Sequence, residues 1–236
     1  MTRWLPVFVF AVLLATAFPA YAELDMLGNE AVPGPNPGAS LTPVTRAEFG
    51  PCAVNLNFDE LTGGGNSCNG THITTQYTGL VFDVPSGDCV ICANSFLGGF
   101  IPTNSDPNVA YVQQNTNVCS ADALPGVVTF SPPVLMVGMD FFTSVSSDFR
   151  IIAYNSANQV IEPLTVVGAD IGGGFWGGFA GLRATGSIIA KIEILSRSFT
   201  FTQPFNFSFD DFIYQVNDCP TPVESNTWGH IKSLYR

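Results

Sequence analysis

The sequence predicts an all-β fold, an antiparallel β-sandwich, from the alternation of its apolar residues, its composition and the spacing of its turns. Segments such as Asn55-Leu56-Asn57-Phe58 and Asn206-Phe207-Ser208-Phe209 alternate polar and apolar residues with period two, the mark of half-buried strands. Charged residues make up only 11% of the chain, whereas Gly and Phe occur 23 and 20 times. That balance supplies strands and turns and starves helices. Short apolar runs separated by turn residues recur along the chain, as a sandwich requires.

The closing stretch, Pro204 to Val216, organises the rest. Phe205, Phe207 and Phe209 share one face of it and Phe212, Tyr214 and Val216 the other, so the pattern changes phase at Asp210-Asp211. A β-bulge there is the simplest cause. The opening strand, Val54 to Glu60, is expected to lie antiparallel to it, with Cys52 and Cys219 joined by a disulfide at one end. If those cysteines face each other in register, paired positions add to 271, which sets Glu60 opposite Asp211 with Asp59 and Asp210 alongside. Like charges directly opposite repel, so that corner needs a cation, and Ca²⁺ suits its hard oxygens.

Between these two, strands are expected over Gly79–Val84, Val109–Val112, Val127–Phe130, Val134–Phe142, Phe149–Tyr154, Val160–Val167 and Ile188–Leu195. Val134–Phe142 is apolar on both faces apart from Gly138 and Asp140, the pattern of a central strand covered on either side. In Ile188–Leu195, Ile188, Ala190, Ile192 and Ile194 alternate with Ile189, Lys191 and Glu193, which predicts one wet face. Gly63–Gly70 reads as a loop, and Gly172–Gly181 as a glycine loop carrying Phe175, Trp176 and Phe179.

Residues 1–22 read as an export signal, with Arg3, an apolar run from Trp4 to Phe18 and an Ala20-Tyr21-Ala22 cleavage site. Residues 23–51, rich in Pro and Gly, read as a flexible leader, residues 52–219 as the sandwich, and residues 220–236 as a spacer with a short amphipathic C-terminal helix capped by Thr227. The mature chain is expected to be secreted or at the cell surface, with no integral membrane segment. Without Arg3 it carries seven basic and nineteen acidic side chains, a net charge near −12 that repels nucleic acid and anionic lipid.

All six cysteines lie in the exported part, where bridges are the expected state. Cys89-Val90-Ile91-Cys92 has the spacing of a zinc knuckle or redox pair, with Cys68, His72 and Cys119 as further ligands, but export favours disulfides. The only histidines are His72 and His230, and no G-x-S-x-G elbow is present, so serine-type hydrolysis is disfavoured. Phe175, Trp176 and Phe179 offer stacking platforms for a sugar, and Asn104, Asp106 and Asn108 offer hydrogen-bonding groups, as do Gln113, Gln114 and Asn115.

The order Asn57-Phe58-Asp59-Glu60-Leu61, Gln76 to Phe82, Phe179-Ala180-Gly181-Leu182 with Ile188 to Ile194, and Phe209-Asp210-Asp211-Phe212 resembles secreted bacterial jelly-roll β-sandwiches. These are of the galactose-binding-like and carbohydrate-binding-module type and are similar to modules found in exosortase-sorted proteins. The resemblance spans about residues 52 to 217. It implies a jelly roll and a structural Ca²⁺ where the first and last strands meet, held by Asp59 or Glu60 and Asp210 or Asp211. The tail departs from the exosortase pattern, lacking the Pro-Glu-Pro motif and a spanning helix with a basic end. Trp228 to Arg236 instead resembles short terminal tags of secreted proteins from environmental bacteria.

Together these readings point to a secreted, non-enzymatic binding module for carbohydrate or another cell-surface or matrix ligand, stabilised by disulfides and Ca²⁺. The competing class is a structural or assembly protein of the cell surface with a C-terminal sorting or docking tail. A glycoside hydrolase, which needs only two carboxylates, comes third.

Overall fold

Every regular element longer than one turn among the described residues is a strand, as the composition requires. The structure, a computed structural model, describes residues 38–62, 71–84, 89–94, 105, 107–114, 125–143, 147–198 and 207–219. They form two antiparallel sheets. The nine-stranded sheet runs β1 (Ser40–Pro43), β12 (Phe175–Thr185), β8 (Met136–Thr143), β14 (Phe207–Gln215), β6 (Val109–Gln114), β5 (Cys89–Asn94) and β3 (Thr71–Ile73). Beside that path, β11 (Ala169–Gly172) pairs with β12, and β2 (Val54–Leu56) pairs with β14. The five-stranded sheet runs β10 (Val160–Val167), β9 (Ser147–Tyr154), β13 (Ile189–Ser198), β7 (Gly126–Val134) and β4 (Leu80–Asp83).

The core lies between the sheets and is dominated by aromatic rings. Phe58, fully buried, meets Tyr77, Phe82 and Phe209 edge to face, and Phe82 meets Phe212 in the same way. Phe141 on β8 stacks on Phe149 of β9 at 4.3 Å between ring centres, tying one sheet to the other. Such pairs add about 0.5–1.5 kcal/mol to the burial of the rings themselves.

The closing strand behaves as its phase change requires. Its register against β8 shifts between Asp210 and Ile213, and Asp211 takes a left-handed backbone, φ 45°. The bulge consumes the extra residue, so Phe207, Phe209 and Phe212 all reach the core from one face. The expected central strand is also present, because every residue of β8 is buried. Cys52 and Cys219 are bridged, with Cα atoms 5.5 Å apart.

Other expectations are corrected. The opening strand stops at Leu56, because Phe58 has φ 60° and the chain turns there to send its ring inward. Its register sets Leu56 opposite Phe212 and Val54 opposite Tyr214, three positions away from the expected pairing. The offset arises after Gln215, where the chain bends at residues 216 and 217 and the Gln215 amide donates to the Asn217 carbonyl. Cys219 therefore returns to Cys52 around a bend rather than along a ladder. The folded unit also starts before Cys52: β1 pairs with β12, and a 3₁₀ turn at Arg46–Glu48 follows, its Glu48 carboxylate accepting from the Thr45 amide and hydroxyl. Residues 40–51 are thus not a leader.

Gly172–Gly181 is not a loop. Ala169–Gly172 and Phe175–Thr185 form a hairpin whose tip is Gly172-Gly173-Gly174, all three at positive φ, which glycine alone adopts without strain. In β13 a register shift between Ile189 and Lys191 turns Ile189 into the core and leaves Ile188 exposed. The expected export signal, residues 23–37 of the leader and the tail at 220–236 lie outside the described residues. No helix among the described residues is long and apolar enough to cross a membrane.

Candidate functional site

The bulge sets Asp210 against β8, while Asp211 stays beside Asn55 of the opening strand. Asp210 pairs in register with Asp140, and both are buried. The cation they need comes from the segment before Cys52: Arg46 reaches the Asp140 carboxylate at 3.0 Å and the Asp211 carboxylate at 4.0 Å, and its guanidinium lies 4.8 Å from the centre of the Phe179 ring. Phe49 meets the same ring edge on. A Cβ at Gly138 or Gly181 would collide with Phe179, so glycine at both positions makes room for this ring.

The four carboxylates expected at one corner are divided by their partners. Asp211 turns to Arg46 and to the Asn55 amide, which donates at 3.4 Å. Glu60, exposed, stands beside the Tyr77 hydroxyl. Burial first, and the Glu60 carboxylate second, push that phenol well above its ordinary range. Asp59 and Asp210 remain as the close pair, bridged by Ser105, whose hydroxyl donates to Asp210 Oδ2 at 3.0 Å and also bonds Asp59.

Asp210 is fully buried, and its Oδ1 accepts the Asp211 amide at 2.7 Å. Burial raises its pKa to about 8 against the opposing pull of that amide, and the charges of Asp211 and Asp59 add to the rise. Burial also raises Asp59, offset by the Asn108 amide that donates to Oδ1 at 3.0 Å. Two acids held in this way are what a cation would relieve.

The donor chemistry fits Ca²⁺ in part. Asp59 and Asp210 are hard oxygen ligands, and the buried Asn108 Oδ1 has no hydrogen-bond partner among the described residues. Among the described residues no group of three or more His, Cys, Asp or Glu side chains converges tightly enough to hold an ion unaided. Carbonyl oxygens and water would therefore complete the shell.

Asn108, expected to bind a sugar, is instead buried to within 1% of full coverage. Its amide donates to the carbonyls of Phe58 and Leu61 at 2.9 and 2.8 Å, which holds the turn carrying Asp59. Asn104 and Asp106 lie outside the described residues, as do Asn115 and the side chains of Gln113 and Gln114.

The three aromatic candidates separate onto two faces of β12. Phe179 belongs to the outer face and is covered by Arg46 and Phe49, so it is not an open platform. Trp176 lies on the opposite face, half-buried, and pairs in register with Asp170 across the hairpin. Asp170 is exposed, and its Oδ1 accepts the Gly172 amide at 2.8 Å. Phe175 is half-buried beside the tip, and the space where Gly172 and Gly174 would carry a Cβ is open.

The cysteine expectation is corrected at Cys92. That residue is a buried thiol on β5 with no disulfide partner among the described residues, and burial pushes its pKa up to about 12, away from the thiolate that redox chemistry or zinc requires. Cys89 to Cys92 is a strand, not the tight turn of a zinc knuckle. Cys68 and Cys119 lie outside the described residues.

Arg46, Ser105 and Asp170 were absent from the sequence-level candidates. Arg46 had one signal: in a chain with eight basic residues, each is a candidate partner for a buried acid. A second ionic cluster lies on the five-stranded sheet, where buried Glu193 accepts from the Tyr154 hydroxyl at 2.8 Å and meets Lys191 Nζ at 3.1 Å. Lys191 also caps the Tyr154 ring at 3.8 Å, so this cluster is satisfied from within.

No protein-family model matches the chain, and no curated protein does. Among solved structures it is similar to the K2 cleaved adhesin domain of Lys-gingipain, with TM-score 0.44 and 10% identity over 71% of this chain and 100% of that one. It is also similar to a xylan-binding domain from Paenibacillus barcinonensis, with TM-score 0.35 and 10% identity over 67% and 99% of the two chains. A third is the K1 cleaved adhesin domain of Lys-gingipain from Porphyromonas gingivalis, with TM-score 0.34 and 13% identity over 70% and 98%.

Proposed function

We propose that this chain is an exported, non-enzymatic binding module whose ligand is a carbohydrate presented by a cell surface or matrix. The observation that carries the reading is the β11–β12 hairpin: Trp176 is partly open beside the exposed Asp170 carboxylate, at a tip of three glycines. An indole face stacks on the C–H face of a sugar, a carboxylate accepts its hydroxyls, and side-chain-free glycines let the ligand approach the backbone. The N-terminal signal pattern and the Cys52–Cys219 bridge support export to an oxidising compartment.

A jelly-roll connectivity is part of the proposal, supported by the way successive strands from β6 to β9 and from β12 to β14 pass between the two sheets. A structural Ca²⁺ between Asp59 and Asp210 is the other part, supported by the full burial of Asp210, the partial burial of Asp59 and an Asn108 oxygen that has no partner among the described residues. The ion would neutralise the pair and fix the Phe58 turn to β14; it has no part in ligand chemistry here.

A glycan array tests the function. Saturable binding by the intact protein that disappears in Trp176→Ala, with the thermal midpoint unchanged, is the expected result. Binding that survives this substitution would remove the hairpin from the site.

A further inference from the structure

Resting on the hairpin reading just given, we infer that the β11–β12 site selects uncharged glycans and rejects uronic-acid or sulfated ones. Stacking on Trp176 does not distinguish these classes, since both present the same C–H faces. Discrimination comes from what stands next to the ring.

Asp170 and Trp176 are register partners on adjacent antiparallel strands, so their side chains leave the hairpin on the same face, with Cβ atoms about 5 Å apart. The carboxylate is anchored by the Gly172 amide rather than left to swing away. A hydroxyl of a neutral sugar stacked on the indole donates to it in a charge-assisted hydrogen bond. A carboxylate or sulfate in the same place lies well inside the Debye length, about 8 Å at physiological salt, and is repelled.

No cation at the hairpin tip offsets that repulsion; Arg183, farther along β12, shares the parity of Phe179 and is paired with Asp218. Residues 168–177 contain no Lys, Arg or His. Arg46 sits with Phe179, whose position on β12 differs in parity from Trp176, so its charge belongs to the other face and is engaged by Asp140 and Asp211. The whole chain, at a formal net charge of −11, repels polyanions at longer range as well.

The test titrates the intact protein with neutral oligosaccharides (xylo-, cello- and manno-hexaose) and with anionic ones (hexagalacturonate and a heparin hexasaccharide), at about 20 mM and about 500 mM NaCl. Neutral ligands should bind at least about tenfold more tightly than anionic ones at low salt, and the gap should narrow at high salt. Asp170→Asn keeps the acceptor oxygen for Gly172, and so the turn, and should narrow the gap at both salt concentrations. Anionic ligands that bind as tightly as neutral ones and are lost in Trp176→Ala would overturn the charge inference while leaving the hairpin as the site. A gap unchanged in Asp170→Asn would overturn it too. Binding of neither class would overturn both.

Discussion

The bulge of β14 and the tip of the β11–β12 hairpin both gather residues whose chemistry suggests a site, yet they are built in opposite ways. At the bulge every carboxylate is either buried or held by neighbours: Asp140 and Asp211 by Arg46, Asp210 by Ser105 and the Asp211 amide, Asp59 by the Asn108 backbone amide. At the hairpin the carboxylate is exposed, the indole is partly open and the glycines leave space. Charge withdrawn from water has to be answered within the fold, whereas an aromatic ring and an acid left at the surface are available to something else.

That contrast makes the bulge side of the molecule sensitive in stability and the hairpin sensitive in binding. The largest loss is expected at the bridge that closes the strand pair. Cys52→Ser with Cys219→Ser opens a loop of 167 residues, and the chain-entropy relation sets the cost at about 5 kcal/mol. Urea unfolding of the double variant beside the oxidised parent measures it; a change under about 1 kcal/mol would mean that the strand pair is held elsewhere.

Phe58→Ala comes next. It removes a fully buried ring that touches Tyr77, Phe82 and Phe209, and should cost about 3–5 kcal/mol, read from the denaturation midpoint. Arg46→Met strips the guanidinium from Asp140 and Asp211 and should cost about 2–4 kcal/mol at neutral pH. Urea unfolding of the variant beside the parent at neutral pH measures the loss.

The pH response of Asp210 sharpens the comparison further. Its folded pKa, about 8, lies above the ordinary carboxylate range, so the folded state binds the proton more tightly than the unfolded chain does. Stability from this group is complete below about pH 4 and is lost as pH rises toward 8. In chelator, the melting temperature should fall across that window, and Asp210→Asn should flatten the fall. Added Ca²⁺ should restore stability at the alkaline end of the window in the parent and not in the variant; a parent indifferent to Ca²⁺ at pH 8 would remove the ion from the proposal. The smallest effect on stability belongs to the hairpin, where Trp176→Ala should move the midpoint by less than about 1 kcal/mol while abolishing binding.

Much of the fold was legible in the chain. Most of the strands follow from period-two alternation, a local property that survives in any tertiary setting. The phase switch at Asp210-Asp211 was legible for the same reason, because two runs of inward Phe residues in opposite parity require one extra residue between them. The strands that escaped are short or atypical: Thr71–Ile73 has three residues, Ser40–Pro43 four, and Phe175–Gly181 hides its alternation behind glycines. Cys89–Asn94 escapes because the Cys89-Val90-Ile91-Cys92 spacing fits a cysteine pair as well as a strand in one dimension.

The site was less legible, since it depends on offsets between distant segments. Cys52 and Cys219 meet as their places at the two ends of the sandwich predict, but no straight ladder runs from them, because the bend at residues 216 and 217 and the left-handed turn at Phe58 each alter the count. Three positions of error take Glu60 out of line with Asp211, and the acid that does face the bulge, Asp140, stands on β8, a different neighbour of β14. The sequence alone determined the class of fold, the bulge and the bridge, for each follows from residue type and local period. Only the tertiary structure decided which acids meet, that Arg46 answers two of them, and that Arg46 and Phe49 lie on Phe179 while Trp176 keeps Asp170 as its neighbour on the other face, because those outcomes depend on register and on which face a neighbouring segment covers.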